Sequence, residues 1–142
     1  MIMEFYEETL ESKKIYNGNI LNVRVDTVQI KDGKKSTREI IEHKGAVTIL
    51  AIKNNKDILM VEQYRKAVEG ALLEIPAGKL EPGEDPLDCA ARELIEETGY
   101  QAGNIKHLFS FYTTPGFCNE ILHLYLATDL KEVGVDPDED EI

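Results

Sequence analysis

Three glutamates, Glu93, Glu96 and Glu97, stand at positions i, i+3 and i+4 of a segment that reads as helix. On a helix those positions are neighbours, with Cβ atoms about 5–6 Å apart, so three like charges repel one another. They also fall in the last turns before Gly99, where the helix dipole disfavours anions. Their mean direction points well away from the stripe of Leu87, Ala90, Ala91, Leu94 and Thr98 that the same helix offers to a core. One reading is a solvated acidic face. The other is a site for a hard divalent cation: Mg²⁺ takes carboxylate oxygens and keeps waters and substrate phosphates in its shell. The violation stands alone in a locally consistent stretch, and such violations concentrate at functional sites.

The segment before the helix points the same way. Pro76-Ala77-Gly78-Lys79-Leu80-Glu81-Pro82-Gly83-Glu84 reads as a loop that joins a strand end to the helix N-cap. Gly78 lacks a Cβ, which lets a backbone carbonyl approach a metal. Arg92 can hold a loop carboxylate such as Glu84 in a charge-assisted fork. The plainer alternatives are a turn glycine and a surface pair.

These residues need a scaffold. The helix itself is expected over Pro86–Thr98: Asp85 suits the N-cap, Pro86 the first helical position and Gly99 the position after the last turn. Ile20–Val28 mostly alternates, Lys31-Asp32-Gly33-Lys34 is a hairpin signal, and Ser36–His43 reads as the return strand. Ala46–Ile52 is a continuous apolar run, suited to a strand buried on both faces. Ile58–Val61, Leu72–Ile75, Ile105–Phe111 and Ile121–Ala127 read as further strands, with Leu122, Leu124 and Leu126 sharing a face of the last. The expected class is α/β or α+β, a mixed sheet with helical cover.

Composition narrows the function. The 142 residues carry 27 Asp+Glu against 16 Lys+Arg, and five of the acids lie in the last seven residues. A net charge of −11 without a basic stripe makes nucleic acid and anionic membrane surfaces poor partners. No basic leader precedes an apolar run at the N-terminus, and no apolar stretch nears the ~18 residues a membrane span needs. Two distant cysteines, Cys89 and Cys118, form no disulfide framework and fit a reducing, cytoplasmic setting. Three scattered histidines make a Cys/His zinc site improbable.

Gly78, five residues, Glu84, seven residues, then Arg92-Glu93-Leu94-Ile95-Glu96-Glu97-Thr98-Gly99-Tyr100 resembles the Nudix box, the signature of hydrolases that act on a nucleoside diphosphate linked to another group. Every charged and glycine position is filled; Tyr100 stands at a packing position where an aliphatic residue is usual. Glu74-Ile75-Pro76-Ala77-Gly78, the upstream Gln63-Tyr64-Arg65, and Pro115 about fifteen residues past the box resemble the ADP-ribose pyrophosphatase branch. The resemblance runs from about Asn17 to the end. It implies a single Nudix domain over 1–142: an α/β/α sandwich with a mixed sheet and an N-terminal β-hairpin extension within 1–43. The family's pattern continues past Ile142 with a strand and a helix, so the resemblance implies either a truncated chain or a minimal variant.

Carried over residue by residue, the resemblance makes Glu93 and Glu97 the main ligands of Mg²⁺ (or Mn²⁺), with Glu96 sharing a further ion and the carbonyl of Ala77 completing the shell. Gly78, Glu84, Arg92 and Gly99 become the structural part of the box. Arg65, Glu74, Pro115, Gly116 and Glu120 become substrate-binding residues. Phe5 and Tyr6 are candidates to stack on adenine, against the plainer reading of aromatics that anchor an N-terminal strand. The general base is expected in the acidic tail, Glu141 first and Glu139 second, against the reading of a frayed tail. Asp136, Asp138 and Asp140 mimic the start of a calcium loop that Glu141, at its glycine position, spoils. The implied activity is Mg²⁺-dependent hydrolysis of ADP-ribose to AMP and ribose 5-phosphate. The alternatives are another nucleoside-diphosphate substrate (a nucleotide sugar or a dinucleoside polyphosphate) and a non-catalytic ADP-ribose-binding module. Branch members pair through N-terminal strands, so a homodimer built on 20–43 is expected. A P-loop or Rossmann nucleotide site finds no motif.

Overall fold

The computed structural model describes residues 6–134. The described chain forms two compact units, one up to Lys44 together with Tyr112–Ile121, the other of Gly45–Phe111 with the chain from Leu122 onward.

The first unit is a three-stranded antiparallel sheet of β1 (Glu8–Asn17), β2 (Leu21–Gln29) and β3 (Lys35–His43), in that order. Asp32 and Gly33 turn the β2–β3 hairpin with φ of 70° and 73°, the left-handed conformation that an Asp-Gly pair tolerates. β1 was not expected: Glu8–Asn17 lacks alternation, and all ten residues are exposed, so no buried face imposes a pattern. The segment 113–120 is stitched to β3. Ile41 donates its N–H to the Phe117 carbonyl (2.7 Å) and accepts from Asn119 N–H (3.1 Å).

The second unit holds a mixed sheet. β4 (Ala46–Lys53) pairs in parallel with β10 (Ile121–Glu132), and antiparallel with β5 (Asp57–Ile58) and β8 (Ala77–Lys79); β9 (Tyr100–Tyr112) lies beyond β10. β6 (Val61–Arg65) and β7 (Gly70–Glu74) form a separate hairpin. The single strand expected over Ile58–Val61 is thus broken in two, because Ile58 pairs with Ile52 of β4 while Val61 pairs with Glu74. The loop expected after Pro76 opens instead as a strand, since Ala77–Lys79 completes an edge of the sheet beside β4.

α1 spans Pro86–Thr98, with the Asp85 carboxylate accepting from Leu87 N–H (2.8 Å) and Gly99 at φ 70° ending it. Among the described residues it is the one α-helix. Its buried side chains are Cys89, Ala90 and Leu94. Leu87, placed in the expected stripe, is 44% exposed; the stripe is rotated so that Cys89, whose thiol lies 3.5 Å from the Lys79 carbonyl, packs inward in its stead. Val47, Ile49 and Ala51 alternate along one face of β4 and meet Cys89, Ala90, Leu94, Tyr125 and Ala127 in one core. Burying Leu94 fully stabilises the pairing of helix and sheet by about 1.5–3 kcal/mol. That core fixes which face of α1 is left over.

Candidate active site on the glutamate helix

With Leu94 turned into the core, Glu93, Glu96 and Glu97 take the remaining side of α1, each partly buried. Glu93 lies directly over Gly78. A Cβ at Gly78 would stand 1.8 Å from Glu93 Cδ and 2.0 Å from its Oε1. The glycine is required by space rather than by a left-handed φ, and what approaches it is a glutamate side chain.

Arg92 binds three carboxylates. Its Nε and Nη2 donate to the two Glu84 oxygens at 2.9 and 3.0 Å, a bidentate fork. Its Nη1 donates to Glu93 Oε1 and Glu96 Oε2, each at 2.8 Å. The guanidinium, and the N–H that Glu81 donates, hold the Glu84 carboxyl at about 2, far below the ordinary value. The reciprocal hydrogen bonds raise Arg92 above the ordinary guanidinium value. Repulsion among the glutamates is therefore partly offset inside the protein, a relief the spacing of acids alone does not reveal. Three carboxylates still share one guanidinium. Burial, and Glu84 beside it, push the Cys89 thiol up to about 12, so it is no nucleophile at neutral pH.

Glu97 reaches the neighbouring strand, where its Oε2 accepts from Ala77 N–H at 2.9 Å. Arg65 and Glu74, opposite ends of the β6–β7 hairpin, form a second fork (2.8 and 2.6 Å). That bond raises Arg65 and lowers Glu74, and the Glu97 charge also raises Arg65. The fold thus gathers Arg65, Glu74, Ala77, Gly78, Glu84, Arg92, Glu93, Glu96, Glu97 and Gly99 in the second unit. Gly99 closes the site: its carbonyl accepts from Val133 N–H (2.8 Å) and Gly134 N–H (3.2 Å), so the chain leaving β10 is fastened to the end of the glutamate helix. Tyr100 carries Lys53, whose ammonium is 2.6 Å from the hydroxyl and 4.6 Å from the ring centre; this occupies the packing position with an aromatic.

The donor chemistry fits a hard dication: the carboxylates of Glu93, Glu96 and Glu97 and the carbonyl of Ala77 are oxygen donors. The fit lies in that chemistry and in the anionic excess rather than in a finished cage, because among the described residues no three acidic, histidine or cysteine groups converge on one point.

Glu120, Pro115 and Gly116 belong to the first unit. Pro115 and Gly116 are exposed on a turn in which Phe117 and Cys118 N–H groups both return to the Thr114 carbonyl. Glu120 accepts from the Thr113 hydroxyl at 2.7 Å and lies 3.4 Å from His43 Nδ1. His43 N–H in turn bonds Asn119 Oδ1 at 2.8 Å. Thr113, His43 and Asn119 were not singled out from the sequence; the pairing of 113–120 with β3 brings them to Glu120, and no local pattern carries that information. Tyr6 is 73% exposed. Phe5, Asp136, Asp138, Glu139, Asp140 and Glu141 lie outside the described residues.

The NUDIX domain family model matches residues 42–142, and the nucleoside diphosphate sugar hydrolase N-terminal domain model matches residues 7–41. A methanol dehydrogenase activator of Bacillus methanolicus is 50% identical over 139 residues, which cover 96% of this chain and 75% of that protein. An ADP-ribose pyrophosphatase of Bacillus subtilis (strain 168) is 46% identical over 137 residues, covering 95% and 74%. The crystal structure of an ADP compounds hydrolase superposes with a TM-score of 0.83 over 95% of this chain and 74% of that one, at 23% identity; this likeness concerns the fold.

Proposed function

The chain belongs to the Nudix family, and from that premise we propose that it hydrolyses the diphosphate bond of ADP-ribose, releasing AMP and ribose 5-phosphate. The observation that carries this reading is the carboxylate face of α1 lying over Gly78, with the Arg65–Glu74 fork beside Glu97. The 46% identical ADP-ribose pyrophosphatase supports the choice of substrate.

Glu93, Glu96 and Glu97, with the Ala77 carbonyl, would hold Mg²⁺ or Mn²⁺. A divalent ion held there would supply positive charge against the diphosphate and lower the pKa of a water at the site. The residues of the chain do the rest. Arg92 fixes Glu84 and braces Glu93 and Glu96 for their task. Arg65, oriented by the bidentate bond to Glu74, presents its planar guanidinium to a substrate phosphate. Glu120, fixed by Thr113, orients the substrate with the Pro115-Gly116 turn. Glu141, and after it Glu139, is the proposed base that takes the water's proton. Val133 and Gly134, the last described residues, are fastened to Gly99 at the end of α1. No covalent nucleophile is needed. A homodimer and a cytoplasmic setting belong to the same proposal.

Purified protein with ADP-ribose and excess Mg²⁺ should release AMP and ribose 5-phosphate. Tight ADP-ribose binding without turnover would identify a binding module instead. A second reading, a nucleotide sugar as substrate, is favoured by the match of residues 7–41 to a nucleoside diphosphate sugar hydrolase N-terminal domain. Comparing kcat/KM for ADP-ribose, nucleotide sugars and dinucleoside polyphosphates decides between them.

A further inference from the structure

One cluster of ligating side chains in the second unit lies apart from the glutamates. His107 and Ser110 of β9 meet His123 of β10: His107 Nε2 is 2.8 Å from Ser110 Oγ, and Ser110 Oγ is 2.7 Å from His123 Nδ1. We propose that His107, Ser110 and His123 form a second metal site, one for a borderline transition-metal dication such as Zn²⁺, Ni²⁺ or Cu²⁺.

The geometry supports this in three ways. First, two ring nitrogens converge on one hydroxyl. A hydroxyl has a single hydrogen, so with both imidazoles neutral one ring donates to Ser110 and the other accepts from it. A dication at about 2.0–2.1 Å from each nitrogen takes both as lone-pair donors and leaves the hydroxyl oxygen as a neutral third ligand. Second, the rings are held in place. His107 packs edge-on against Tyr125, centroid to centroid 5.3 Å, and Tyr125 is 6% exposed within the core; the two imidazole centroids are 6.4 Å apart. Third, the cluster is open to an arriving ion, since His107 and Ser110 are exposed and His123 is partly so. Imidazole suits zinc, nickel and copper, whereas carboxylate suits magnesium and manganese. The two sites of the unit therefore select different ions.

Their relative placement follows from strand register. His123 pairs with Val47, and Val47 pairs with Gly78. Register partners share a sheet face, so His123 stands on the face that carries Glu93. Two strand spacings put it about 10 Å from Gly78. A bound transition metal would stand beside the glutamate site without sharing a ligand with it.

The test uses the whole chain saturated with Mg²⁺, to which less than one equivalent of Cu²⁺ is added. Frozen-solution EPR should show superhyperfine coupling to two imidazole nitrogens, reduced to one or lost in His107→Gln and in His123→Gln and unchanged in His43→Gln. Calorimetric Zn²⁺ affinity should fall at least about tenfold in either of the first two variants. In the unmodified chain, substoichiometric Ni²⁺ should broaden the ring resonances of His107 and His123 and leave those of His43 sharp. Nitrogen coupling that persists in both variants, a spectrum with oxygen ligands alone, or equal broadening of all three histidines would overturn the site.

Discussion

Glu97 and Gly78 show how little freedom the candidate site leaves to single residues. Glu97 has one oxygen engaged by Ala77 N–H. Glutamine keeps that acceptor but removes the charge, so Glu97→Gln should leave the thermal melting temperature nearly unchanged. It should lower kcat by about 10²–10³-fold. Steady-state kinetics beside a melting curve check both halves, and an undiminished rate would remove Glu97 from the metal-binding set. Gly78→Ala acts differently. Its Cβ would fall inside the Glu93 carboxylate, so Glu93 must leave its place or the strand must shift. Overpacking of this kind costs about 1–3 kcal/mol, and activity should fall in parallel because Glu93, a proposed ligand, is displaced. A stable and fully active Gly78→Ala protein would contradict the close approach.

At the scale of elements, α1 and the segment preceding it are tied by the Arg92–Glu84 fork. Folding lowers the Glu84 pKa to about 2 from an ordinary value of about 4.3. A depressed carboxyl contributes stability that is fully present above the unfolded value and is lost as pH falls through the folded one. The contribution of this brace should therefore be complete at pH 6 and decline between about pH 4.3 and 2. Urea unfolding of Glu84→Gln and the unmodified chain should show a stability gap at pH 6 that narrows by pH 3. A gap of equal size at both pH values would mean that the brace does not depend on the Glu84 charge. The same element shows where pattern reading misses. Leu87 satisfies the helical stripe yet is exposed, while Cys89 is buried, because packing against the sheet determines which side chains of α1 turn inward.

For the whole molecule, β1 is an edge strand with all ten residues exposed, among them Leu10, Ile15 and Tyr16. Unpaired edges of this kind invite pairing with another chain, in keeping with the proposed homodimer. Light scattering should give twice the 16.0 kDa chain mass; a mass of one chain would remove the dimer from the proposal. No helix among the described residues is long and apolar enough to cross a membrane.

The sequence alone determined whatever is written locally. α1 has its cap, its proline and its terminal glycine at the expected residues, because capping is chemistry between neighbours. The spacing from Gly78 through Glu84 to Arg92–Gly99 carried the family, because one helix and the segment before it hold most of the site. Tertiary structure decided what depends on distant partners: that β8 leaves the loop to join β4, that Arg92 neutralises part of the acidic face, that Thr113 and His43 meet Glu120, and that two histidines sixteen positions apart share one serine. Strand register and helix rotation are set by the burial of apolar surface across the whole unit, and no short window of residues contains that sum.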